Sequence, residues 1–189
     1  GKRFWAHGPA KDAEPGAPAV LYWFGLTRKG GKAEYIPHQI DDNSGVGTQV
    51  AAGDVNGDGL LDIYLCRYAL EPAAPLTSCD LMVEGAEREF KRRRRGLNAS
   101  ARFLQALGPP NVLLVNSGGG RFAVAKETSQ LARWFNSFQS SWSDFDEDGD
   151  PDLYVCNDFS PDVLLRNDGT SGFVDITEPT GGETMRSFG

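Results

Sequence analysis

The sequence predicts an all-β chain built from repeated four-stranded units, and three observations carry that expectation. Composition is the first: 23 Gly and 11 Pro are many for a helical protein, while 4 Trp, 5 Tyr and 11 Phe suit pleated surfaces. The second is internal repetition, because Asp54 to Cys66 aligns without gaps on Asp144 to Cys156. Both copies read Asp-x-(Asp/Asn)-x-Asp-Gly-x-x-Asp-(Ile/Leu)-Tyr-(Leu/Val)-Cys. The third is that a matching hairpin follows each copy. Asn111-Val112-Leu113-Leu114-Val115-Asn116 with its Gly turn up to Phe122 corresponds to Asp162-Val163-Leu164-Leu165-Arg166-Asn167 with its turn up to Phe173.

Taken in order, residues 1–18 read as an N-terminal tail and residues 19–41 as the closing hairpin of a preceding unit. In that hairpin Val20 to Leu26 and Ala33 to Ile40 flank a Lys29-Gly30-Gly31-Lys32 turn. Residues 45–126 form one full unit: the alternating stretch Thr48 to Ala52, the acidic loop 54–62, the strand after it, and the hairpin. Residues 137–177 form another, with Phe138 to Trp142 ahead of the loop 144–152. Thr184 to Gly189 (184–189) reads as the first strand of a following unit. Four-stranded units of about 40 to 50 residues are the signature of β-propeller blades, so the fold expected is a partial propeller of about three blades. The two loops begin at Asp54 and Asp144, roughly two blade lengths apart, which requires an insert. It spans residues 70–109, carries Pro72, Pro75 and the basic run Lys91-Arg92-Arg93-Arg94-Arg95, and is expected outside the sheet with a short helix over Arg88 to Leu107.

Each acidic loop has the spacing of a calcium site. Oxygen-bearing side chains at positions one, three and five, with Gly at six to aim the next carbonyl inward, build half a cage around a hard cation. The first loop offers Asp54, Asn56, Asp58, the Leu60 carbonyl and Asp62; the second offers Asp144, Asp146, Asp148, the Asp150 carbonyl and Asp152. Six or seven oxygens in a flexible loop suit calcium better than magnesium, and the thiols lack zinc spacing. The bland alternative, a solvated acidic turn, has to recur twice in the same register. An EF-hand or a dockerin requires an acidic residue at position twelve leading into a helix; Leu65 and Val155 stand there, and Ile63 to Tyr68 reads as strand. An aspartyl-nucleophile phosphatase needs its Asp after an apolar run inside a helix-rich body, whereas Trp142-Ser143-Asp144 is polar.

Charge and hydropathy exclude other classes. With 26 acidic against 19 basic side chains and a net charge of −7, nucleic acid is not the expected partner. No apolar run of about 18 residues offers a membrane span. The chain opens Gly1-Lys2-Arg3-Phe4 without a Met or an apolar signal core and reads as a mature, excised or partial piece. The 3 cysteines, Cys66, Cys79 and Cys156, cannot complete a disulfide framework. Cys66 and Cys156 occupy equivalent strand positions and are expected not to pair; any bridge would join Cys66 to Cys79. His7 and His38 lie outside the acidic loops and read as bystanders, and the basic run as a solvated loop. Asn98-Ala99-Ser100 is a glycosylation sequon, meaningful only in a secreted eukaryotic chain. Trp5, Trp23, Trp134 and Trp142 are expected to fill gaps between blades.

The repeated loop, with Asn157-Asp158-Phe159 and Leu164-Leu165-Arg166-Asn167-Asp168-Gly169-Thr170 to Phe173 after it, resembles the FG-GAP/VCBS repeat. More narrowly it is similar to propellers of the cartilage acidic protein group that carry an ASPIC/UnbV module, although no such module is present in the sequence. The resemblance implies a seven-bladed, integrin-like propeller with calcium in the loops of one face, in exported or cell-surface proteins. It also places ligand roles on Asp54, Asn56, Asp58, Asp62, Asp144, Asp146, Asp148 and Asp152. The function expected is a calcium-stabilised scaffold meeting a protein or glycan ligand, with two structural Ca2+ sites and no catalytic residues. The location expected is extracellular or cell-surface (periplasmic or outer-surface in a bacterium). The alternative is a propeller-fold polysaccharide lyase or hydrolase, which would need a further acid/base pair. An open set of blades is also expected to self-associate.

Overall fold

The computed structural model describes residues 20–41, 47–68, 110–125, 130–158 and 160–178. The tail at 1–18 with Trp5 and His7, the insert at 70–109 with Cys79, its helix and its basic run, and the strand at 184–189 lie outside the described residues. Within them the architecture is all-β and antiparallel. The two halves of the internal repeat each become one four-stranded sheet.

The first element is a hairpin of β1 (Leu21–Lys29) and β2 (Lys32–Asp41). Gly30 and Gly31 both take positive φ, 58° and 78°, the geometry a two-residue hairpin turn demands and one that side chains with a Cβ resist. The first sheet then runs β3 (Gly47–Gly53), β4 (Asp62–Arg67), β5 (Val112–Asn116) and β6 (Phe122–Val124), in that spatial order. The second repeats it with β7 (Asn136–Ser143), β8 (Asp152–Asp158), β9 (Val163–Asn167) and β10 (Phe173–Asp175). Register is repeated too: Val50 faces Leu65 as Ser140 faces Val155, and an irregularity falls at the same place, before Gln49 and before Gln139.

Alternation along each strand decides what packs where. Tyr64, Cys66 and Leu113 of the first sheet project toward Leu153, Val155, Val163 and Leu165 of the second, forming one continuous core with Leu131. The opposite face, Ile63, Leu65, Val112 and Leu114, is covered by Leu21 and Ile40 of the hairpin. β4 is therefore buried on both faces along its whole length. On the far face of the second sheet, Tyr154, Cys156, Leu164 and Arg166 are only half-buried. Trp142 fills the space between the sheets near the loops, edge-on to Tyr64 with centroids 6.0 Å apart, and Trp134 is buried in the connection from the first sheet to the second. Cys66 and Cys156 are not bridged to each other; burial pushes the Cys66 thiol up to about 11.

Polar groups lock the sheets at the end away from the acidic loops. Asn111 Nδ2 donates to Ser137 Oγ (2.7 Å), which donates on to Asn157 Oδ1 (2.7 Å). Asn111 and Asp162, at matching repeat positions, each accept a backbone N–H from the preceding strand: Arg67 N to Asn111 Oδ1 at 2.9 Å and Asn157 N to Asp162 Oδ1 at 2.8 Å. These buried groups are paired, as burial requires.

Candidate metal centre

Both acidic loops connect the first strand of a sheet to its second, β3 to β4 and β7 to β8, so they emerge on the same end of the two sheets. Their backbones are wound alike. Position one accepts two amides: Asp54 takes Asp58 N (3.1 Å) and Gly59 N (2.9 Å), and Asp144 takes Asp148 N (3.1 Å) and Gly149 N (3.0 Å). Position five takes the amide two residues on, Leu60 N to Asp58 Oδ1 (2.8 Å) and Asp150 N to Asp148 Oδ1 (2.9 Å). Gly59 and Gly149 at position six have φ of 83° and 99°. Position four is also left-handed, in Gly57 (72°) and, against steric preference, in Glu147 (60°).

Position nine closes each loop from inside the fold. Asp62 is 0% and Asp152 1% exposed, and each carboxylate accepts the same two backbone amides. One comes from loop position two: Val55 N to Asp62 Oδ2 at 3.2 Å and Phe145 N to Asp152 Oδ2 at 3.0 Å. The other comes from the Asn that ends the third strand: Asn116 N to Asp62 Oδ1 and Asn167 N to Asp152 Oδ1, both 2.8 Å. Spacing alone does not single out Asn116 and Asn167 as the holders of these carboxylates; their signal is that the repeat keeps Asn at both positions.

The loops differ in the residue at position three. In the second, carboxylate oxygens of Asp144, Asp146 and Asp152 all lie within 4.8 Å of one another, and this is the one such acidic group among the described residues. Two calcium ligands on opposite sides of an ion stand about 4.6–5.2 Å apart, so this donor set fits one hard cation. Asp148 and the Asp150 side chain lie outside the trio. In the first loop Asn56 replaces Asp146, and its carboxamide both donates to Asp58 Oδ2 (3.1 Å) and accepts from Asp58 N (3.1 Å). An amide can bond a neighbouring carboxylate, whereas a carboxylate repels one, so the second loop carries one more negative charge than the first at position three.

Burial and neighbouring charge both act on the loop carboxyls. Partial desolvation, then the charges of Asp148 and Asp152, push the Asp146 carboxyl up, with Arg166 pulling the other way. Burial, reinforced by Asp58 and Asp54, pushes Asp62 up against the amides that stabilise it. Arg166 forks onto Asp168 (2.6 and 3.0 Å) and comes within 4.0 Å of Asp146. Its hydrogen bonds hold the Asp168 carboxyl below the ordinary range. His38 stacks on Trp23 (centroids 4.1 Å, 13° between planes) and lines an open cleft with Pro37, Gln39, Gly119 and Gly120.

Two antiparallel four-stranded sheets, each with an Asp-rich loop joining its first strand to its second, define an all-β repeat architecture consistent with part of a propeller. The FG-GAP repeat family matches residues 46–65, which are the body of β3, the first acidic loop and the start of β4. The match does not extend to an ASPIC/UnbV module. Among curated proteins no relative matches the chain. No helix among the described residues is long and apolar enough to cross a membrane.

Proposed function

We propose that this chain is part of a calcium-binding, integrin-like β-propeller scaffold, in which the metal is structural and the surface serves an extracellular or cell-surface interaction with a protein or glycan. The observation that carries the reading is the convergence of Asp144, Asp146 and Asp152 in a loop whose counterpart in the other copy lies in an FG-GAP match. FG-GAP repeats are often calcium-associated and typical of extracellular domains, which supports both the ion and the location. The ligands are Asp54, Asn56, Asp58, Asp62 and the Leu60 carbonyl in one loop, and Asp144, Asp146, Asp148, Asp152 and the Asp150 carbonyl in the other. Bound calcium supplies positive charge that relieves the repulsion among these carboxylates. The position-nine carboxylates, already fixed by two backbone amides each, present their remaining lone pairs to it at no further ordering cost. Catalysis is no part of this reading, because the clustered carboxylates are committed to the metal.

Titration calorimetry and thermal melting of the full chain test the proposal. Two calcium ions per chain are expected, one after Asp144→Ala, with a melting temperature clearly higher in calcium than in chelator. An ion that binds only the folded loop adds about 2.7 kcal/mol at a hundredfold excess over its Kd. No binding heat and melting indifferent to chelator would sink it.

A further inference from the structure

We infer that the two acidic loops are energetically coupled, and that Asn167 is the positioning residue that couples them; this rests on the calcium reading above. Asn167 ends β9, is 2% exposed, and its Oδ1 accepts the Gly169 N–H (3.2 Å). Its backbone N–H holds Asp152 Oδ1 (2.8 Å), the closing carboxylate of the second loop. Its side-chain Nδ2 reaches across to the other sheet and donates to the Val55 carbonyl (3.1 Å), and also to the Pro151 carbonyl (3.2 Å). Val55 is position two of the first loop, and its own N–H holds Asp62 Oδ2, the closing carboxylate there. A run of contacts, Asp62 to the Val55 N–H, across residue 55 to its carbonyl, and from there through Asn167 to Asp152, thus joins the two closing ligands. A second contact runs beside it. Gly53, immediately before Asp54, lies so close to the Trp142 ring that an added Cβ would stand 3.1 Å from it, and Trp142 is two residues before Asp144.

The physical consequence has a definite sign. A cation held by Asp62 fixes that carboxylate and, through the N–H it holds, the backbone of residue 55, so the Val55 carbonyl is already placed to accept from Asn167. Asn167 in turn holds Asp152 where the second ion needs it. The first ion therefore does part of the ordering that the second requires, and binding is positively cooperative. Asn116 supplies the internal control. It occupies the same repeat position and holds Asp62 in the same way, yet its Nδ2 donates to Leu61 within its own loop (3.1 Å) and reaches no second loop among the described residues.

The test is a cycle of calcium titrations on the full chain. With the first loop disabled by Asp54→Ala, calcium affinity at the second loop should fall about three- to tenfold, and Asp144→Ala should weaken the first loop by the same factor. In an Asn167→Ala background each loop should be indifferent to loss of the other, while in Asn116→Ala the dependence should persist. In chelator, amide exchange of residues 54–56 should quicken in Asn167→Ala although the substitution lies in the other repeat. Two filled sites whose affinities never depend on each other would overturn the coupling, a dependence that survives Asn167→Ala would overturn Asn167 as its carrier, and either result leaves the calcium reading intact. Absence of calcium binding in the unsubstituted chain would overturn both.

Discussion

Replacing Asp152 by Asn separates the loop-closing role of position nine from its role as a ligand. The side chain is 1% exposed and both of its oxygens accept backbone N–H groups, from Phe145 at 3.0 Å and Asn167 at 2.8 Å. Asn keeps the shape and one acceptor, so one amide stays bonded while the other meets an NH2 group, donor against donor. The loss is one hydrogen bond to a charged group, about 1.5–3 kcal/mol, with the orphaned donor raising the total to about 2–4 kcal/mol. For a chain of this size that corresponds to roughly 5–15 °C in Tm. Urea or thermal unfolding in chelator measures it without the metal, and calcium should then rescue the variant far less than the parent. Asp148→Asn is the contrast: its carboxylate is exposed and takes only the Asp150 amide, so in chelator it should cost under about 1 kcal/mol while still weakening calcium binding. Equal stability of Asp152→Asn and the parent in chelator would refute the closing role.

Gly53→Val should cost about 1–3 kcal/mol, since its Cβ meets the Trp142 ring at 3.1 Å, and should shift the Trp142 fluorescence; unchanged unfolding and emission would mean the sheets are spaced differently. Asp175 gives a pH dependence: burial raises its carboxyl, but bonds from the Thr177 hydroxyl and amide and from Arg133 outweigh this and hold it below the ordinary value. A depressed carboxylate contributes stability that is full above about pH 4 and lost as pH falls through the folded-state value; comparing Asp175→Asn with the parent in acid unfolding should show a shallower slope in the variant below about pH 4.

Strand order is legible in this sequence because alternation and the acidic spacing are local properties, and two copies in one register exclude chance. The loops are legible for the same reason. What the sequence withholds depends on a third dimension. Asn116 and Asn167 stand out only as repeated Asn until cross-strand register brings them against Asp62 and Asp152. Gly53 reads as a strand terminus until Trp142 of the neighbouring sheet lies against it. Gly57 hints at a left-handed position four, but that Glu147 takes the same conformation is a result of the surrounding hydrogen bonds overriding its preference. Asn56 in place of Asp146 looks conservative in the motif, and that its carboxamide bonds Asp58 emerges only from the folded loop.

The half-buried face of the second sheet carries Tyr154 and Cys156 where the first sheet buries Tyr64 and Cys66. The contact between the sheets is therefore not two-fold: one sheet offers its Tyr and Cys side, the other its Leu153 and Val155 side. Surfaces that differ in this way stack head to tail, and a head-to-tail contact has no built-in stopping point unless rotation brings the last copy back to the first. Any self-association through the half-buried Tyr154 side is accordingly directional, growing as an open stack or curling shut. Its size distribution should depend on concentration in the manner of a polymer and not of a dimer.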